Sequence, residues 1–253
     1  MPIGGVLILL FATLIQAACG SLGIFRQYEY EEDMYLSLDG SATVYVNSSL
    51  PALNALRGAS FDTNPATRVD REAVRAFFTT PRTHVTRINV SRRANRRFVH
   101  VRLDVDDVRR IGGGPLAWSN YRFYRDGDLF IFRQAVGASA AKKVDDVGWD
   151  NRELVAFRLH LPSRIVYHNA GAANLKRGNI LVWQQTLAAR MRGEPMVLDA
   201  RMEGQSILYR TLILFGATVG AVGAGFVALL WWILRRGAGS GPRRRRLQGV
   251  EEA

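Results

Sequence analysis

The residues able to do chemistry are few: four histidines, one cysteine and some clustered arginines and carboxylates in a chain of 253 residues. His84 and His100 would face each other if their strands form a hairpin, with Asp104 nearby. A metal ion wants a third ligand at a fixed spacing, and none is supplied. Solvated strand histidines are therefore expected, with no metal and no cofactor. His168-Asn169 closes a strand, where a polar side chain commonly holds turn backbone, so a structural cap is expected over a catalytic part. Glu31, Glu32 and Asp33 look like paired carboxylates, but strand neighbours point to opposite faces. Glu31 and Asp33 share one face and read as a solvated edge. No H-E-x-x-H, G-x-S-x-G or phosphate-loop pattern occurs. The expectation is a chain that is not an enzyme.

The arginines carry a different possibility. Arg92, Arg93, Arg96 and Arg97 cluster at a predicted hairpin tip, with Arg87, His100 and Arg102 along the adjoining strands. A forked guanidinium suits phosphate bidentately. Each basic group near an anionic surface contributes about 1 kcal/mol. These four are the candidate contacts to lipid headgroups. The competing expectation is a solvated tip that merely resists edge pairing.

The elements that must position these residues read mainly as strands. Tyr28, Tyr30, Met34, Leu36 and Leu38 alternate onto one face, Asp39-Gly40 signals a tight turn, and Ala42, Val44 and Val46 return. Ser49 caps a short helix with Pro51 in its first turn, and Asp70 caps a second from Arg71 to Phe78. A hairpin is predicted over 84–91 and 97–105, followed by a short helix from Asp106 or Asp107 to Ile111 and a Gly-Gly-Gly-Pro stop. A third hairpin runs over 118–136 around Asp126-Gly127. Its Tyr121, Phe123, Tyr124, Phe130 and Phe132 are either plain core or the lining of a cavity for acyl chains. Further strands fit at 154–161, 164–168, 180–187 and 196–202. The expected class is α+β: an antiparallel sheet with a few short helices on one side.

Both ends of the chain are apolar. Residues 1–18 lack charge and precede the single Cys19, as in a signal peptide with a lipobox-like cysteine. Cys19 is the candidate lipidation site; cleavage near Gly20 by an ordinary signal peptidase and an uncleaved anchor are the alternatives. Residues 211–234 form 24 uncharged positions, about 36 Å of helix, long enough to cross a bilayer as one transmembrane helix. Arg235, Arg236 and Arg243–Arg246 follow it, so the positive-inside rule expects a cytoplasmic tail at 235–253 and an extracytoplasmic domain at 22–205. Gly216 and Gly220, one turn apart, are candidates for helix packing in the membrane and self-association. The net charge of +12 is not expected to serve nucleic acid, because export removes the domain from it.

The stretch from Tyr28 to Ala42, YEYEEDMYLSLDGSA, followed by a short helix, is similar to the opening of LppM-like domains. Arg164-Ile165-Val166-Tyr167-His168-Asn169-Ala170, with Trp183 and Leu187 downstream, resembles their later part. These are bacterial envelope lipoproteins or exported proteins with a C-terminal membrane helix. The resemblance implies an α+β envelope domain that binds lipid or glycolipid at the outer face of the plasma membrane. The alternative expectation is a non-catalytic interaction module that docks an envelope protein partner.

Overall fold

The computed structural model describes residues 27–111, 119–171 and 179–237. Residues 1–26, with Cys19, and the arginine run 243–246 lie outside the described residues. The chain divides into two units, residues 1–204 and 205–253.

In the first unit, ten strands form two sheets. The larger has six strands: β1 (Tyr28–Leu36), β2 (Ala42–Ser49), β3 (Thr83–Arg93), β4 (Arg96–Val105), β7 (Leu154–His160) and β9 (Ile180–Thr186), in the order β3-β4-β2-β1-β7-β9. The smaller has β5 (Ser119–Asp126), β6 (Leu129–Val136), β10 (Met196–Ser206) and β8 (Ser163–His168), in the order β5-β6-β10-β8. The α+β class is as expected. The strands are shared between two sheets instead of one, and β1 pairs with β7 in parallel amid otherwise antiparallel neighbours in its sheet.

Local chemistry accounts for the short elements. Helix α1 (Leu50–Arg57) starts where the Ser49 hydroxyl accepts from the Ala52 amide at 3.2 Å. It stops at Gly58, whose φ of 70° is the left-handed conformation that glycine adopts without a Cβ clash. Asp70 caps α2 (Arg71–Phe78) by accepting from the Glu72 and Ala73 amides at 2.9 and 3.0 Å. Asp107 caps a single 3-10 turn, Val108–Arg110. A further short helix, α3 (Leu187–Met191), follows β9 directly and is capped by Thr186; the strand pattern of this stretch had concealed it.

One core joins these layers. Val44 and Val46 of β2, Val99, Val101 and Leu103 of β4, and Val155, Phe157 and Leu159 of β7 point to the same side of the large sheet. They meet Leu53, Leu56, Val74 and Phe78 from the helices, and Phe123, Phe132, Leu198 and Met202 from the small sheet. The aromatic third hairpin is thus plain core: Tyr121, Phe123 and Phe132 are buried in it, while Tyr124 is exposed. Helices and small sheet both lie on one side, which leaves the opposite side of the large sheet as its polar face.

The second unit holds α4 (Ile207–Gly237), 31 residues long. Its segment Thr211–Arg236 is long and apolar enough to cross a membrane, and its described side chains are exposed.

Candidate ligand-binding face

The polar face is organised around β1. Because β1 is central in its sheet, Glu31 and Asp33 do not form an edge; each is met by a base from β7. The parallel register sets Asp33 opposite Arg158 and Tyr35 opposite His160. The contacts run diagonally across this register: Arg158 forms an ion pair with the Glu31 carboxylate at 2.6 Å, and the His160 Nε2 lies within hydrogen-bond distance, 2.6 Å, of the Asp33 Oδ1. Tyr35 stacks on the His160 imidazole, with centroids 3.8 Å apart and planes 14° from parallel. It meets Tyr45 edge-on at 5.7 Å, and remains 44% exposed. Partial burial, with the Asp33 charge beside it, holds the Tyr35 phenol above its usual range, so it stays protonated and able to donate.

The same face continues over β2 and β4. The Thr43 hydroxyl donates to Asp104 at 3.3 Å, Arg102 lies 3.7 Å from Asp104, and the Arg102 guanidinium sits 5.8 Å from the Tyr45 ring centroid. His100 is held between the Ser91 hydroxyl at 2.8 Å and the Asn47 amide oxygen at 3.0 Å. Burial, and then Arg93, pull the His100 pKa below its ordinary value, which favours the neutral ring. His84 does not face it: the register puts His84 opposite Asp104 and His100 opposite Asn89. Among the described residues, no group of three or more histidines, cysteines and carboxylates is arranged to hold a metal.

At its other end the face is closed by the loop around Asp145–Asp150, and this overturns part of the arginine reading. The chain turns within two residues, Ala94 and Asn95, both at positive φ, so Arg92, Arg93, Arg96 and Arg97 lie inside the β3–β4 ladder and not in a loop. Alternation then sends them apart. Arg96 is 3% exposed; it pairs at 2.9 Å with Glu29, which is 0% exposed, and donates to the Val147 carbonyl at 2.8 Å. A guanidinium so enclosed is no headgroup contact. Arg93 lies over the Phe98 ring at 4.4 Å and donates to the Tyr28 carbonyl. Arg92 is exposed and bonds Asn95 at 2.5 Å. The four arginines do not form one cationic tip. An open polar cleft of about 500 Å³ lies beside Arg96, lined also by Asn64, Asn95, Asp145, Asp146 and Glu153.

The pattern of β1 also conceals Glu32, which points into the core at 2% exposure. It accepts from the Tyr30 hydroxyl at 2.5 Å and the Tyr121 hydroxyl at 3.4 Å, and the Arg57 guanidinium lies 3.9 Å away. Gln134 extends the cluster by donating to Tyr121 at 3.2 Å and to Ser119 at 3.0 Å. Burial raises the Glu32 pKa against the opposing pull of Arg57. Since Glu32 belongs to the large sheet and Tyr121 and Gln134 to the small one, the cluster ties the two sheets together.

Asn169 has the capping role expected of it. Its side-chain oxygen accepts from the Trp183 indole at 2.9 Å and the Asp199 amide at 2.9 Å, and its amide donates to the Val197 carbonyl at 2.8 Å. Sequence reasoning missed one motif: Ser139 and Lys142 stand at the S-x-x-K spacing of a serine–lysine dyad. In the fold the Ser139 hydroxyl donates to the Ala55 carbonyl at 3.1 Å, and the Lys142 ammonium donates to the Ala59 carbonyl at 2.7 Å and the Ser60 hydroxyl at 2.6 Å. Both anchor their loop to the end of α1. In α4, Gly216 and Gly220 lie one turn apart, and a Cβ at either would meet nothing within 4 Å.

What the open face offers is an exposed aromatic ring, pre-stacked on imidazole, bordered by carboxylates and guanidinium groups already fixed by ion pairs. Such a surface can hold a ligand that has a flat apolar side and several hydroxyls. The signal that would have found it is the alternation of Leu154 to His160, which puts Arg158 and His160 on one face, complementary to Glu31 and Asp33.

No family model matches the chain, and no curated protein matches it. Among solved structures, it is similar to the folded domain of Mycobacterium tuberculosis LppM determined by NMR. The identity is 13%, over 72% of this chain and 94% of that one, with a TM-score of 0.40.

Proposed function

We propose that this chain is a membrane-anchored extracytoplasmic domain that binds the polar part of a lipid or glycolipid at the outer face of a bacterial plasma membrane. The observation that carries this reading is the open face built from Tyr35, His160, Asp33, Arg158 and Glu31. A pyranose ring stacks its C–H side on Tyr35 and turns its hydroxyls to the flanking carboxylates and guanidinium groups. Acyl chains stay in the bilayer, because the aromatic hairpin, the candidate lining for them, is packed into the core. The apolar helix tethers the domain, and the six arginines after it against the single Arg210 before it orient the helix with its C-terminal side in the cytoplasm. The binding is non-catalytic. A second reading, docking of an envelope protein partner, rests on Val166 and Tyr167, both exposed on β8 at the edge of the small sheet.

Native mass spectrometry of the full chain in detergent, titrated with diglucosyl diacylglycerol, phosphatidylglycerol and phosphatidylcholine, tests the proposal. A one-to-one complex with the glycolipid is expected, weakened roughly 5- to 10-fold by Tyr35→Ala, about what a lost ring contact is worth. Binding that ignores Tyr35→Ala removes the sheet face from the mechanism. Absence of any bound lipid shifts the reading to the protein partner.

A further inference from the structure

The basic end of α4 presents an arrangement that tethering alone does not call for. The Arg235 guanidinium lies 4.3 Å from the Trp231 ring centroid, and the Arg236 guanidinium 4.0 Å from that of Trp232. Both pairs are spaced i, i+4, so each arginine stem folds back along the helix onto an indole. The pairs are consecutive, and therefore sit side by side around the helix. Both indoles are exposed. An indole over a guanidinium restrains a long flexible side chain before any ligand arrives, which removes much of the ordering cost of binding.

The charge of these arginines has no partner within the segment's own sequence. No aspartate or glutamate occurs from residue 204 to residue 250, whereas seven arginines do. Depth along the helix is equally informative. With the tryptophans at the edge of the hydrocarbon, guanidinium groups lying against their rings stand at the same interfacial level, within reach of headgroup phosphates. A guanidinium fork matches a phosphate's oxygens, and two adjacent forks span one phosphodiester.

We infer that Trp231, Trp232, Arg235 and Arg236 form a binding site for the phosphate of an anionic phospholipid. The site is separate from the sheet face and independent of what that face binds. The four further arginines at 243–246 add attraction to the anionic surface, but the paired guanidinium groups hold the individual headgroup.

The test compares phosphatidylglycerol with phosphatidylcholine of identical chains, titrated into the detergent-solubilised full chain and read by native mass spectrometry. Two basic groups predict a preference for phosphatidylglycerol of roughly 10- to 30-fold. Arg235→Gln with Arg236→Gln brings it to about twofold or less, and Trp231→Leu with Trp232→Leu lowers it several-fold although both charges remain. Tyr35→Ala leaves the preference unchanged, so the outcome for the sheet face is read separately. Equal binding of the two lipids by the unsubstituted chain overturns the inference. So does a preference that survives Arg235→Gln with Arg236→Gln and disappears when Arg243–Arg246 become Gln. Displacement of the lipid by excess inorganic phosphate assigns the site to a soluble anion and overturns the lipid assignment.

Discussion

Replacing Arg96 with alanine separates a structural arginine from a ligand-binding one. The Arg96 guanidinium pairs with Glu29 at 2.9 Å and donates to the Val147 carbonyl at 2.8 Å, and neither partner of the ion pair is more than 3% exposed. Arg96→Ala strands the Glu29 carboxylate, itself fully buried, without its cation. Breaking a buried pair from one side costs about 3–5 kcal/mol, most of it the desolvation of the abandoned charge. For a domain of this size each kcal/mol moves the midpoint by about 2–4 °C, so Arg96→Ala is expected to melt roughly 6–20 °C lower. Arg92→Ala, on an exposed side chain bonded to Asn95, is expected to cost less than about 0.5 kcal/mol. The assay is thermal unfolding of the full chain in detergent, followed by near-ultraviolet circular dichroism. The double variant Glu29→Gln with Arg96→Met removes both charges and is expected to recover more than half of the loss. An Arg96→Ala midpoint within about 2 °C of the parent refutes the reasoning, since Glu29 would then be solvated despite its burial. The result also governs how ligand-binding variants are chosen. A chain with Arg92, Arg93, Arg96 and Arg97 all replaced is expected to lose any ligand through unfolding, so that variant does not test the face.

Two further outcomes follow from polar groups that join the sheets. Glu32 has a folded pKa above its unfolded value because burial disfavours its charge. It therefore binds protons more tightly in the folded state, and its contribution is fully present below about pH 4.5 and lost as pH rises through the raised pKa. Glu32→Gln removes this dependence. The stability of the parent relative to Glu32→Gln should improve as pH falls from 7 toward 4.5, measured by urea unfolding at each pH, and a gap constant with pH contradicts the assignment. Asn169→Ala deletes three hydrogen bonds linking the end of β8 to Trp183 of the large sheet and to β10. A loss of about 1–3 kcal/mol in thermal unfolding is expected, because Asn169 itself is exposed and water replaces part of the bonding. A change below about 0.5 kcal/mol would show the clamp to be idle.

The legible part of this fold is its local part. Ser49 and Asp70 as caps and the turns at Asp39-Gly40 and Asp126-Gly127 are decided by side chains within four residues of the backbone they serve. Strand alternation is similarly short-ranged, and it recovered every strand among the described residues, with ends shifted by a few positions. What alternation cannot supply is the neighbour. The division into two sheets and the parallel pairing of β1 with β7 depend on which strands meet across the chain. So do the polar residues that matter most. Glu32 reads as one of three surface carboxylates until Tyr121, 89 positions away, supplies its hydrogen bond. Arg96 reads as one of four surface cations until Glu29, 67 positions away, takes its charge. Each is a polar residue on a strand position whose burial is affordable only with a distant partner, and a single sequence does not print that distance.

The place of β1 in the large sheet sets an order of events during synthesis. The four strands β3-β4-β2-β1 are two hairpins, β1–β2 and β3–β4, joined by the pairing of β2 with β4, and are complete by Val105, whereas β7 emerges more than a hundred residues after β1: Glu31 and its partner Arg158 are 127 positions apart. Until then β1 is an unpaired edge, inviting the same strand of another nascent copy. Glu31 and Asp33 stand on that edge with their charges uncompensated, and like charges brought side by side repel a second β1. The arrival of Arg158 neutralises Glu31 and that of His160 gives Asp33 a hydrogen-bond partner, so the strand that carries both is the one admitted. The two carboxylates thus act first as a guard against wrong pairing, and afterwards as half of the finished face.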